Sequence, residues 1–228
     1  MNKPKITIVG AGGYAFPIKL IADMLSWESL QDAHYCLFDI VEAGAQRTGR
    51  LMQMLVDGHG LAATHEVTTD PRKAFDGADY IFITFQVGGL DAYKIDKDIP
   101  AKYGIDLPVG DTLNAGGIFR GLRSLGALEP YCAMIREGSP DALAINYANP
   151  MAILTWAMNG WGVPTVGLCH SVQAIPHIVE RQTGIPAKEV TFKTAGINHQ
   201  AWVVSVHHQG RDVLDRFNRS FHVDRDAS

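Results

Sequence analysis

The chain has 228 residues, 46% hydrophobic and 19% charged, which is enough to bury a sizeable core and too apolar for a disordered polymer. A net charge of −4 argues against a nucleic-acid partner, and no apolar run reaches the length of a membrane span. The three cysteines are odd in number and widely separated, so they form no disulfide framework; with no leader-like segment after MNKPK, they predict a cytoplasmic protein.

Short apolar runs alternate with longer helical patterns, the signature of parallel βαβ units and hence of an α/β, doubly wound fold. The first strand spans Lys5 to Val9, and a helix follows from about Phe16 to Trp27 with Pro17 in its first turn. The second strand is Tyr35 to Phe38, and Glu42 to Asp57 reads as a helix with Leu51, Met54 and Leu55 on one face. A third strand lies near Glu66 to Thr68. The fourth, Tyr80 to Phe85, is a continuous apolar run of the kind buried on both faces. A helix from Ile118 to about Arg136, a fifth strand Leu143 to Tyr147, a helix from Met151, a sixth strand Thr165 to Leu168 and a helix Ser171 to Gln182 follow. After Val190 the chain is extended again, and its polar end completes no further element. A first domain over residues 1–170 and the beginning of a second over 171–228 are expected.

Residues 10 to 15, GAGGYA, follow the first strand and match G-x-G-x-x-G/A with Gly10, Gly12 and Ala15. Gly10 permits the tight turn, Gly12 the approach of a pyrophosphate, and Ala15 close packing of helix on strand. Asp39 closes the second strand, where a carboxylate takes the ribose hydroxyls of NAD and repels the 2′-phosphate of NADP. The competing reading is an ordinary tight turn with no nucleotide. Ligands of an open parallel sheet bind beyond the carboxyl ends of its strands, where Gln86, Asn149, Cys169 and His170 also stand. Cys169 and, further on, His199 form a thiolate–imidazole pair suited to a divalent transition metal. On spacing alone, a core cysteine and a hydrogen-bonded histidine are the commoner explanation. Cys36 and Cys132 read as core, and the remaining histidines as surface or structural.

The segments VGAGGYAF, LFDI, ITFQVGG, DTLNAGGIFRGLR, INYANPMA, VGLCHSVQ and GINHQAW, in this order, resemble the family-four glycoside hydrolases, whose NAD-dependent chemistry departs from the usual two-carboxylate pattern. Within that family they are most similar to the bacterial α-galactosidases. The resemblance covers about residues 4 to 205. It implies a Rossmann-like domain followed by the start of a lactate/malate-dehydrogenase-like α+β domain. It also implies an NAD site at Gly10, Gly12, Gly13, Asp39 and Gln86, and a manganese ion on Cys169 and His199. Asn149, Asp111 and Arg120 would bind the sugar. His170 would be either the proton donor to the leaving group or a residue orienting its neighbours. The implied route is oxidation of an α-galactoside at C3, elimination, water addition and return of the hydride, in a homo-oligomer (dimer or tetramer). α-Glucosides and α-galacturonides are alternative substrates. A non-catalytic NAD-binding fold and a simple lactate/malate-type dehydrogenase are alternative functions. Two departures stand out. The family's GPGG is replaced by Asn114-Ala115-Gly116-Gly117, which predicts a looser turn before the helix at Ile118. Members of the family are also longer, so the base that takes the C2 proton is expected beyond Ser228.

Overall fold

Six short strands build one all-parallel sheet: β1 (Lys5–Val9), β2 (His34–Phe38), β3 (Thr64–Thr68), β4 (Tyr80–Ile83), β5 (Leu143–Asn146) and β6 (Thr165–Gly167). The structure is a computed structural model that describes residues 3–107 and 112–221. The strand order is β3-β2-β1-β4-β5-β6, so the chain reverses its direction of travel between β1 and β4, the switch point of the doubly wound dinucleotide fold. Strand residues alternate between two cores. Cys36, Phe38, Ile81 and Ile83 face one with Phe75, Leu128 and Cys132, while Tyr35, Leu37 and Phe82 face the other with Ile21 and Met52. Burial on both faces is why β2 and β4 read as nearly unbroken apolar runs.

Helices α1 (Phe16–Leu25), α2 (Glu42–His59), α3 (Pro71–Phe75), α4 (Gly89–Ala101), α5 (Ala115–Gly138) and α6 (Met151–Gly160) connect the strands. Two of them, α3 and α4, are absent from the sequence-based expectation. Asp70 caps α3 through a hydrogen bond from the Arg72 amide, with Pro71 in the first turn. The buried residues of α4 are Asp96 and Pro100, so the helix shows no apolar stripe to find. The expected apolar face of α2 is right only at Leu55, which packs against the core. Leu51 and Met54 are exposed, and the buried stripe is Ala45, Thr48, Gly49, Met52 and Val56. Small residues there let α2 lie close to the sheet: a Cβ on Gly49 would sit 3.0 Å from Nε2 of His65. Nor is the turn before α5 loosened. Asn114 accepts a 2.8 Å hydrogen bond from the Gly117 amide and starts the helix at Ala115, earlier than expected.

The chain divides into two compact units, Met1–Leu168 and Cys169–Ser228. In the second, the expected single helix is two, α7 (His170–Gln173) and α8 (Ile175–Thr183), with Pro176 entering the first turn of α8. An antiparallel sheet follows, β7 (Val190–Ile197), β8 (Gln200–His208) and β9 (Arg211–Asp212). The polar end forms α9 (Leu214–Ser220), which inserts Phe217 into a core with Ile175, Val179, Ile185, Val190 and Val206. Leu214 packs against the same core, and two apolar residues in so short a helix are too few for a periodic signal.

Candidate functional site

The turn after β1 is held at nearly every polar atom. Gly10 takes φ +88°, and a Cβ there would lie 2.8 Å from the Phe85 amide nitrogen, so only glycine fits. The Gly10 and Ala11 amides donate to the Phe38 carbonyl at 2.9 and 3.0 Å, and the Gly13 amide closes the turn on the Gly10 carbonyl at 3.0 Å. Asp39 takes part directly. Its Oδ2 accepts from the Gly12 amide at 2.7 Å and its Oδ1 from the Val41 amide at 2.9 Å. Two backbone donors thus fix a carboxylate at the end of β2 beside the glycines. Gly12 is small for an additional reason that spacing did not show. A Cβ would stand 2.8 Å from Asp39 Oδ2 and 3.2 Å from the Cα of Gly44, where α2 begins its approach.

Three residues of α2 that the sequence pattern missed complete this cradle. Thr48, buried, donates from Oγ1 to the Ala11 carbonyl at 2.6 Å. Arg47 donates from Nη2 to the Gly12 carbonyl at 2.6 Å, and its guanidinium lies 4.2 Å from the centre of the Tyr14 ring. Gly44 allows the backbones to meet. The one legible signal was the run of small residues Gly44, Ala45, Thr48 and Gly49 on one side of a helix.

At the ends of β4 and β5, Gln86 is tied to both neighbours. It donates from Nε2 to the Gly89 carbonyl at 3.0 Å and accepts from Arg120 Nη2 at 3.1 Å. The Arg120 guanidinium also stands 5.8 Å from the Tyr93 ring centre. Asn149 precedes Pro150 through a cis peptide bond. Its loop is organised by Asn146, fully buried and also missed from sequence. The Asn146 Oδ1 accepts from the Ala148 amide, and Nδ2 lies within 3.3 Å of the Ala148 and Met151 carbonyls and Thr155 Oγ1. Asp111 lies outside the described residues.

In the second unit, Cys169 occupies the position before α7 and is half-buried, with Sγ 3.4 Å from Ser171 Oγ; His170 opens the helix. His199 stands in the tight turn between β7 and β8 at φ +63°, backbone that non-glycine residues seldom adopt outside functional or turn positions. Gly196 lets the hairpin close beneath it, since a Cβ there would sit 2.6 Å from the Cα of Ala201. Thiolate and imidazole are a chemically competent donor pair for a divalent transition metal. Among the described residues no three His, Cys, Asp or Glu side chains gather to hold an ion. Cys36 and Cys132 are fully buried, as expected for core thiols. Among the described residues no helix is long and apolar enough to cross a membrane.

A model of the family 4 glycosyl hydrolases matches residues 5–185. An α-galactosidase of Rhizobium meliloti (strain 1021) is 43% identical over 211 residues, covering 92% of this chain and 43% of the relative. An α-galactosidase of Bacillus subtilis (strain 168) is 35% identical over 217 residues, covering 94% of this chain and 50% of the relative. Among solved structures, a 6-phospho-α-glucosidase from gut microorganisms in complex with NAD and Mn2+ superposes with a TM-score of 0.84 at 26% identity, covering 96% of this chain and 51% of that one. The chain therefore spans about half the length of the relatives it matches. The cradle, the strand order and the matched segments agree: this chain belongs to the family 4 glycosyl hydrolases.

Proposed function

We propose that the enzyme to which this chain belongs hydrolyses α-galactosides with NAD and a divalent ion, manganese, as cofactors. The observation that carries the reading is the glycine turn locked to Asp39 at the switch point of the sheet, in a chain of a hydrolase family. Hydrolysis moves no net electrons. A dinucleotide cradle in a hydrolase is explained if the cofactor oxidises the sugar and later restores it. The similarity to two α-galactosidases supports the substrate.

When bound, NAD would supply reversible hydride acceptance at the sugar, and a divalent ion would supply Lewis acidity that makes the neighbouring proton easier to remove. The chain's own residues bind and orient. Gly10, Gly12 and Gly13 admit the pyrophosphate, Asp39 takes the ribose hydroxyls, and Gln86 borders the cofactor. Asn149, Arg120 and Asp111 grip the sugar. Cys169 and His199 hold the metal. His170 protonates the leaving oxygen at C1, a task suited to an imidazole near neutral pH. The reading includes a cytoplasmic homo-oligomer, dimer or tetramer, consistent with cysteines that are all free.

Calorimetric titration of this chain with NAD tests the cradle, and titration with Mn2+, Co2+ and Zn2+ under reducing conditions tests the metal pair. Cys169→Ser and His199→Ala should each lose metal affinity and keep NAD affinity. Manganese should bind more weakly than cobalt or zinc, because softer ions suit sulfur and nitrogen donors. In the full-length form, p-nitrophenyl α-galactoside cleavage should require NAD and metal together. Cleavage that survives removal of both would reject the mechanism, and a chain with no affinity for NAD would reject the cradle.

A further inference from the structure

We propose that Arg47 and Thr48 are positioning residues for the dinucleotide, acting through the glycine turn rather than by touching the sugar; the inference rests on the NAD reading above. The geometry is specific. Peptide units alternate a donor and an acceptor, and a loop that receives a pyrophosphate must turn its carbonyl dipoles away from the anion. In this turn the two carbonyls between Gly10 and Gly13 are both claimed by adjacent residues of α2. Thr48 Oγ1 takes the Ala11 carbonyl and Arg47 Nη2 takes the Gly12 carbonyl, each at 2.6 Å. The Gly12 amide of the first of these peptides is held by Asp39 on the opposite side, and the Gly13 amide of the second by the Gly10 carbonyl. Both peptide planes are thus fixed at both ends before any ligand arrives.

Arg47 does more than donate one bond. Its guanidinium also packs against the Tyr14 ring, on the other side of Gly13 from the carbonyl it holds. One cation therefore grips the turn at Gly12 and Tyr14, the residues flanking Gly13, and carries positive charge beside the loop that receives the phosphates. Lysine could supply the charge but not a planar group that bonds and stacks at once. Thr48 is buried, so its hydroxyl has no water to replace the Ala11 carbonyl as partner. A flexible turn would have to be ordered by the ligand, and affinity would fall by the cost of ordering it.

The test uses the 228-residue chain with two readouts. The first is amide hydrogen exchange at Gly12 and Gly13 in the free protein, and the second is NAD affinity by calorimetry. Thr48→Val and Arg47→Met are expected to speed exchange at these amides and each to weaken NAD about tenfold, the size of one hydrogen bond to a charged or buried group. Thr48→Ser should stay within about twofold of the parent, and Arg47→Lys should fall between the parent and Arg47→Met. Thermal unfolding of each variant separates a general loss of stability from a local one. Arg47 is only half-buried, so Arg47→Met tests the idea even if Thr48→Val unfolds. Unchanged exchange together with unchanged NAD affinity in Arg47→Met and Thr48→Val would overturn the proposal. A parent chain that fails to bind NAD would instead overturn the functional reading, leaving the exchange experiment to judge the rigidity of the turn.

Discussion

Gly44→Ala and Gly58→Ala are the same chemical change in one helix, α2, and their surroundings give them opposite signs. Alanine is preferred over glycine inside a helix by about 1 kcal/mol. At Gly58 an added methyl meets nothing within 4 Å, so the preference stands alone. Gly58 lies near the end of α2, so stability should rise by about 0.5 kcal/mol and Tm by roughly 1–2 °C. At Gly44 the same methyl would sit 2.8 Å from the Cα of Gly12 and 3.3 Å from its carbonyl oxygen. Both are backbone atoms, and the Gly12 amide and carbonyl are held by Asp39 and Arg47, so neither can swing aside. Overpacking costs about 1–3 kcal/mol, and subtracting a propensity gain of about 0.5 in this first turn of the helix leaves a net loss of about 0.5–2.5 kcal/mol. Tm should fall by several degrees, on the order of 4 °C. NAD affinity should fall with it, because relief comes by displacing α2 from the turn. The assay is thermal unfolding by circular dichroism for both variants in one buffer, followed by NAD titration. A Gly44→Ala protein as stable as Gly58→Ala would refute the claim that the close approach of α2 shapes the cradle.

Arg123 grips Asp96 with bonds of 2.5 and 3.0 Å, and the Asp96 side chain is 2% exposed. Arg123→Met should cost about 3–5 kcal/mol by leaving a buried carboxylate alone, while combining it with Asp96→Leu should recover much of that; equal losses in the single and double variants would refute the desolvation argument. Acid should destabilise the first unit in two stages. Burial and the neighbouring His34 lower the His65 pKa, so its contribution is complete above the ordinary imidazole range and lost as pH falls through it. Burial raises Glu66, but hydrogen bonds from Lys73 and Cys36 and the charges of Lys73 and Lys5 outweigh it and hold its pKa low, so a second loss follows in the carboxylate range. Tm measured between about pH 8 and 2.5 should fall in both ranges, and His65→Gln should remove the first; a Tm that rises on acidification contradicts the assignment. Burial first of all pushes the Cys36 thiol up to about 12 and that of Cys132 up to about 11. Iodoacetamide should therefore modify Cys169 in the folded protein and the other two only after denaturation, and native-state labelling of Cys36 faster than unfolding would show the core to be open.

Local pattern determined much of this protein. The central strands β1, β2, β4 and β5 are legible because they are largely apolar and buried against two cores, and the glycine turn because a positive φ and a blocked Cβ at Gly10 allow one residue type. The position of Asp39 followed from where β2 ends. Pattern failed where burial is not apolar. Helix α4 hides a salt bridge rather than a stripe, and α2 buries Ala45, Thr48 and Gly49 beside Met52 and Val56 while exposing Leu51 and Met54. Arg47 and Thr48 act on backbone atoms of a segment brought near by folding, and a residue's type carries no mark of the carbonyl it will meet. Hydrophobic periodicity is a local property and survives in one dimension. Hydrogen bonds and close approaches between elements exist only once the chain has been brought together in space, and those were decided by the tertiary structure alone.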